Sequence, residues 1–435
     1  VEQVHTKVVN VNWKYRSVTL LAMLFLMHLI AHVDRNLLVA FAPQIIGELS
    51  ITNTQFGFLA GAVWVLSYST ASIVTGALSD RYSRTRILAV SVLIWSACTA
   101  ASGYAMSFGQ MTAARLLVAC GEAGLVPPAL SLLLDLFSAR RLSTASGVFF
   151  MGLPLGIGGA FVIAGISGEV LGWRGSFYLL GAIGVLLAVP MFFVRDERTT
   201  RAVAADVRGF PQQFRTAWAD LCATPVVVYT MLGFVVIHFM FANLAFLQVW
   251  LVNEKGFEAA EIARSVGTLQ ILFGVLGALT GGALSDRLSR WLPGGHATFV
   301  VLLIALCGPI MLIRYFAPTG SPAFYIGLCF AFYLPMAVYG PANALLQGLT
   351  PARSRSLLTG FNILIINTVA VAIGTGVVGI VSDRLKAAGS LHPLTTAMIG
   401  ADIATICAAF FFMMAALRIR KASTAGPESL PLNRR

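Results

Sequence analysis

Apolar stretches of about twenty residues recur from one end of the chain to the other, and short polar segments between them carry most of the charge. Each stretch is long enough to cross the ~30 Å hydrocarbon core of a bilayer as a helix. The pattern predicts spans at 17–42, 54–78, 87–105, 110–136, 144–167, 175–194, 225–252, 264–284, 297–316, 322–346, 356–381 and 394–417. Helices are required because lipid offers no partner to an unpaired backbone group. The other spanning form, a closed barrel, needs strands of alternating pattern, which the sequence lacks. The longest polar stretch, 195–224, falls at the midpoint and carries Arg195, Arg198, Arg201, Arg208 and Arg215. It is read as a cytoplasmic linker between a bundle at 1–194 and a bundle at 225–417, with a cytoplasmic tail at 418–435.

An internal repeat supports two related halves. Residues 76–84 read GALSDRYSR and residues 282–290 read GALSDRLSR, each following the second span of its half. A basic pair also recurs after spans four and ten, at Arg140 and Arg141 and at Arg353 and Arg355. The fold class expected is all-α integral membrane, with twelve transmembrane helices in two six-helix pseudo-repeats.

Composition changes the picture only by removing rivals. The chain is 57% hydrophobic and 11% charged, against roughly 25% charged in soluble domains. The formal net charge of +12 would suggest nucleic acid in a soluble protein. Here the basic residues sit between apolar runs without any nucleic-acid motif, so no nucleic-acid partner is expected. With the N-terminus inside, 22 Lys and Arg fall on cytoplasmic segments and six at external ends (Arg174, Lys255, Arg264, Arg314, Arg384, Lys386). That bias places both termini in the cytoplasm, with anionic membrane lipids as partners of the basic loops. The setting expected is a plasma membrane, or the inner membrane in a bacterium. The first apolar run opens a full-length span, so no cleavable leader is expected, and Val1, not being an initiator Met, is expected to lie inside a longer native chain. Five of the six cysteines fall inside spans and none has CxxC spacing, so neither a disulfide framework nor a metal site is expected.

These features resemble the major facilitator superfamily. Gly76, Asp80, Arg81 and Arg84 are similar to that superfamily's loop signature, and Gly282, Asp286, Arg287 and Arg290 repeat it. The resemblance implies the major facilitator fold and a secondary transporter working by alternating access. It gives these aspartates and arginines a gating role, latching the halves at their cytoplasmic ends; a turn signal that also anchors the loop to headgroups is the alternative. A narrower set of residues is similar to the Spinster-like branch: Asp34-Arg35, Pro43, TQFG at 54–57, and the run from Arg115 to Gly121-Glu122-Ala123. Ala119 stands where that branch's motif is expected to carry Gly. The branch implies an amphipathic lipid-like anion as solute, such as a lysophospholipid or a sphingosine phosphate, with the proton as coupling ion and no other cofactor.

Few ionisable residues lie deep in the spans: Asp34, Arg35, Arg115, Glu122 and Asp402. A charge at mid-bilayer costs a few kcal/mol or more, so each needs a partner or a hydrated cavity. Asp34 and Arg35 lie between the depths of Arg115 and Glu122, at ~1.5 Å of rise per residue. Arg115 and Glu122 are two turns apart and share a helix face, whereas Asp34 and Arg35 diverge by ~100° and cannot point at the same spot. The functional reading gives proton coupling to Glu122 and Asp34, and the ligand headgroup to Arg35 and Arg115, because guanidinium matches phosphate or carboxylate in a bidentate way. The alternative is a static ion network that only fixes helix register.

The resemblance also puts spans seven and ten on the cavity wall. Neither contains Asp, Glu, Lys or Arg. They offer His238, Asn243 and Gln248, then Phe330, Phe332, Tyr333 and Tyr339, as an apolar and aromatic wall for a tail. His28, His32 and His238 are read first as packing histidines and second as proton relays. Asp402 has no evident partner in sequence. Pro127-Pro128, Pro335 and Pro341 predict kinks, and Gly57-xxx-Gly61 and Gly277-xxx-Gly281 predict close helix contacts. A membrane enzyme is disfavoured because HExxH, GxSxG and P-loop motifs are absent. A channel is disfavoured by the doubled loop motif. Within transporters, a proton-coupled symporter of small organic anions such as sugar acids, or a multidrug efflux carrier, is the alternative. A monomer is the default.

Overall fold

The computed structural model describes residues 2–196, 210–351 and 354–424, which form helices and connecting turns with no strand among them. Twelve helical segments are long and apolar enough to cross a membrane: Ser17–Ala40, Asn53–Gly76, Arg84–Gly103, Phe108–Leu136, Thr144–Ser167, Gly172–Phe193, Pro225–Asn253, Ala259–Leu288, His296–Phe316, Pro322–Leu349, Leu357–Ala387 and Pro393–Ala422. They match the twelve predicted spans one for one. Spans eight, eleven and twelve run beyond their apolar windows into charged residues such as Arg287, Arg384 and Arg418. Backbone hydrogen bonding continues there because charged side chains can reach the headgroups.

Four span starts are capped by residues that accept a free N–H group of the first turn. Thr52 and Gln55 form a capping box at span two, and Ser83, Ser107 and Ser321 accept from Arg86 N, Gln110 N and Phe324 N at spans three, four and ten.

Contacts divide the chain into two compact units, one drawn from Val1–Ser50, Val63–Arg201 and Ala259–Gly267, the other from Ile51–Ala62, Ala202–Glu258 and Thr268–Arg435. They differ from the predicted halves at two short segments, 51–62 of span two and 259–267 of span eight. In the first unit span three packs on spans four and six; in the second, span nine packs on spans ten and twelve. This common pairing is the structural form of the sequence repeat. The first unit's core gathers Leu24, Met27, Trp95, Val118 and Phe149; the second's gathers Phe234, Ile304, Leu334 and Phe412. Gly277 and Gly281 lie against the backbone of Tyr333 and Ala337, and Gly57 against Thr375, as the small-residue spacing predicts.

Two proline expectations resolve differently. Span four breaks after Glu122 and restarts at Val126, with its prolines in the first turn of the new helix, where a missing N–H costs nothing. Span ten runs unbroken over Pro322–Leu349 with Pro335 and Pro341 inside it. Of the predicted linker, 197–209 lies outside the described residues, and Phe210–Ala223 is a helix whose Ala217 and Leu221 pack on Val227, Met231 and Leu346 of the second unit. Of the tail, 425–435 lies outside the described residues.

Candidate functional site

The break in span four sets the site. Glu122 is the last residue of the helix Phe108–Glu122. Gly121 and Gly124 on either side of it sit so close to span three that a Cβ on Gly124 would meet Ser91 Oγ at 2.0 Å and one on Gly121 would meet Trp95 N at 2.8 Å. Only glycine permits that approach, which presses the end of the helix inward and buries the Glu122 side chain to 1% exposure.

Asp34 and Arg35 diverge as their adjacency demands. Asp34 turns toward spans three and four. Its Oδ1 accepts from Arg115 Nη1 at 2.7 Å, and its Oδ2 accepts from the Thr99 hydroxyl. Both members of this ion pair are sealed, at 1% and 4% side-chain exposure. Arg35 turns toward spans two and four. Its Nη2 donates to Glu122 Oε2 at 3.2 Å, and its guanidinium carbon lies over the Trp64 ring, 3.4 Å from the ring centre. Trp64 Nε1 donates to the same Glu122 Oε2 at 2.8 Å, and Tyr68 stacks on Trp64 at 4.5 Å. The other oxygen, Glu122 Oε1, and Arg35 Nε are buried without a hydrogen-bond partner among the described residues. The Arg35 side chain remains 31% exposed.

The four predicted charges therefore separate into two pairs of different character. Asp34–Arg115 is enclosed, with the second Asp34 oxygen taken by Thr99, the form of a register-fixing ion pair. Arg35–Glu122 couples a fully buried carboxylate to a cation with an open side. Trp64 is the member that sequence reasoning missed. The available signal was a tryptophan in span two opposite the charged spans; the structure adds a wide π turn, Phe58–Val63, immediately before it, a distortion frequent at functional positions. Removing only one partner of the sealed pair, as in Asp34→Asn, is expected to cost about 3 kcal/mol or more of stability. Thermal unfolding in detergent measures this; an unchanged midpoint would show that Arg115 is not held by Asp34.

The second wall is less exposed than predicted. Phe332, His238, Asn243 and Gln248 are buried inside the second unit. His238 Nδ1 is bonded to Phe234 O of its own span at 2.6 Å. Asn243 Nδ2 is committed to Met398 O at 2.9 Å and to Asp402 Oδ1 at 2.6 Å. Tyr339 is exposed beside His238 and Phe234, and Tyr333 is half-buried with its hydroxyl on Thr280 Oγ1 at 2.9 Å. On span one, His28 Nδ1 is bonded to Phe149 O at 2.9 Å and its ring meets that of His32 at 4.6 Å.

Two expectations about charge are corrected. Asp402 has partners: Arg314 Nη2 at 2.6 Å, the Tyr315 hydroxyl at 2.8 Å and the Asn243 amide. Arg314, assigned to an external end, is 3% exposed and turned inward. Its long side chain bridges the depth that separates the two residues in sequence register.

The predicted gating residues also differ among themselves. The Asp80 side chain lies outside the described residues. Arg81 is exposed. Arg84 is buried and spends its guanidinium inside the first unit, on Asp135 at 2.6 Å and Asp196 at 2.6 Å. Asp286, Arg287 and Arg290 are exposed. Among the described residues, no group of three His, Cys, Asp or Glu could hold a metal ion.

With this geometry in place, comparison with known proteins gives a consistent picture. The sequence model of the Major Facilitator Superfamily matches residues 24–375. The chain is 26% identical to an MFS-type efflux pump of Mycolicibacterium smegmatis, over 81% of this chain and 82% of the relative. It is 26% identical to the hexuronate transporter of Bacillus subtilis, over 83% and 87%. It is 28% identical to protein spinster homolog 1 of Bos taurus, over 85% and 74%. Among solved structures it superposes on a bacterial homolog of the human lysosomal transporter Spinster with a TM-score of 0.77 and 22% identity, covering 95% of this chain and 98% of that one.

Proposed function

Because the chain belongs to the Major Facilitator Superfamily, and is therefore a membrane transporter, we propose that it moves an amphipathic, lipid-like anion by alternating access, linked to protons. The halves 1–194 and 225–417 act as the two moving bundles, with both termini on the cytoplasmic side of a plasma or inner membrane. One observation carries this reading: a partly exposed arginine rests on a fully buried glutamate that has one oxygen without a partner among the described residues.

That arrangement exchanges one ionic partner for another. While the site is empty, Arg35 is neutralised by Glu122. An arriving phosphate or carboxylate takes the exposed side of the guanidinium in bidentate fashion. Glu122, left as an unpaired carboxylate in a low-dielectric setting, then takes a proton, because an isolated buried charge is far costlier than a neutral acid. Departure of the anion reverses both steps. The Trp64 ring holds the guanidinium during the exchange and keeps its plane fixed. Asp34 and Arg115 hold span one against spans three and four beneath it. Tyr339 is the group on the second wall best presented to a tail, whereas Tyr333 lines a groove between spans eight, nine and ten.

The resemblance to the Spinster-like branch implies a lipid-like solute, and the similarity to a hexuronate transporter supports the second reading, a small organic anion. The same arginine serves both, so the tail decides. Proteoliposomes carrying the purified protein and a fluorescent lysophospholipid, with and without a pH gradient, test the choice. Saturable lysolipid flux that excess hexuronate leaves unchanged is expected. Competition by hexuronate with no lysolipid flux transfers the assignment to the small anion.

A further inference from the structure

The two copies of the repeated nonapeptide end in arginines with opposite fates. Arg84 is 4% exposed and clamped by Asp135 and Asp196. Arg290, its counterpart in the repeat, is exposed, as is Arg287, and neither side chain makes an ion pair or hydrogen bond among the described residues. The reason is legible: the inner end of span ten, 341–350, holds no acid to play the part of Asp135. Two cations without an ion-pair or hydrogen-bond partner among the described residues thus stand at the end of span eight, followed by Trp291, which is 84% exposed. An aromatic beside cations at a span end marks the headgroup level.

A groove starts at the same place. It has a volume of about 420 Å³ and runs between spans eight, nine and ten, walled by Leu276, Leu284, Leu288, Leu302, Leu306 and Phe330 among others. The Tyr333 hydroxyl at its wall is turned onto Thr280. From Phe273 to Leu288 the groove lining covers about 22 Å of span eight, enough to cover one leaflet of a ~30 Å core. Leu288 and Leu292 line its end and are neighbours in sequence of Arg287, Arg290 and Trp291.

We propose that the second unit carries a binding site for one anionic phospholipid of the cytoplasmic leaflet, with its phosphate on Arg287 and Arg290 and one acyl chain in the groove between spans eight, nine and ten. The occupant is a resident membrane lipid, and the site is independent of which solute is carried. Charge complementarity selects the headgroup, and the length and apolar lining of the groove suit an acyl chain.

The purified, delipidated protein in neutral detergent tests this by native mass spectrometry and by thermal unfolding. The probes are phosphatidylglycerol, phosphatidylcholine and inorganic phosphate. Phosphatidylglycerol is expected to bind and to raise the unfolding temperature, phosphatidylcholine to bind more weakly, and phosphate alone to do nothing. Arg287→Gln/Arg290→Gln should weaken phosphatidylglycerol about 30-fold and leave the weaker phosphatidylcholine binding as it was. Leu306→Trp, which fills the groove from an already exposed position, should weaken both lipids. Equal binding of the two lipids by wild type, full phosphatidylglycerol binding by either variant, or a full shift with phosphate alone would each overturn the proposal.

Discussion

Replacing Glu122 with glutamine is expected to abolish the response of transport to a pH gradient while leaving ligand affinity within about threefold of wild type, a small change beside the tenfold that 1.4 kcal/mol brings. Glutamine keeps the shape of the side chain and can still accept from Trp64 Nε1, so the packing around the break in span four is preserved. What it loses is the negative charge that holds Arg35 and the ability to take up a proton. Arg35 is then permanently available to an anion, and binding survives. Arg35→Ala makes the opposite change. It leaves Glu122 in place and removes the only partly exposed cation of the cluster. Hydrogen bonds to charged groups contribute about 1.5–3 kcal/mol, so affinity should fall about 10- to 100-fold. Equilibrium binding measured beside gradient-driven flux separates the two. A Glu122→Gln protein that still accumulates solute in answer to a pH gradient would remove Glu122 from the coupling role and leave Arg35 untouched.

The largest expected loss of stability comes from Asp402→Ala. That change strands Arg314, which is 3% exposed and already has Nε and Nη1 without partners among the described residues. An uncompensated buried charge costs about 3–5 kcal/mol. The Tyr315 hydroxyl and the Asn243 amide would lose their shared acceptor as well. The double variant Asp402→Ala/Arg314→Met should recover most of the loss, because the charge to be buried disappears together with its partner. Thermal unfolding of the four proteins in one detergent gives the coupling between the two residues. Additive losses would show that the pair is not a unit.

The same comparison shows why some charges were readable in sequence and others were not. The depths of Asp34, Arg35, Arg115 and Glu122 follow from counting residues along helices, and adjacency alone required Asp34 and Arg35 to face apart. Which arginine met which acid did not follow, because four charges at overlapping depths allow either pairing. Trp64 went unnoticed because a tryptophan in an apolar span carries no signal until its neighbours are known. Arg314 was misread for a related reason: two residues from the end of a span, its side chain is long enough to reach headgroups or to turn inward, and only the presence of Asp402 on span twelve decides between them.

The sequence by itself determined what lipid enforces. A backbone in hydrocarbon must be helical, so the runs of apolar residues set the number of spans, their ends within a few residues, and, through the repeated nonapeptide, the two related halves. Tertiary structure decided everything that depends on which side chains share a dry contact. It split one expected cluster into a sealed pair and a half-open one, and it buried Arg84 while leaving Arg290 exposed in the same nine-residue motif. Local sequence fixes a helix because its hydrogen bonds are local; the environment of a buried charge is set by partners tens or hundreds of residues away.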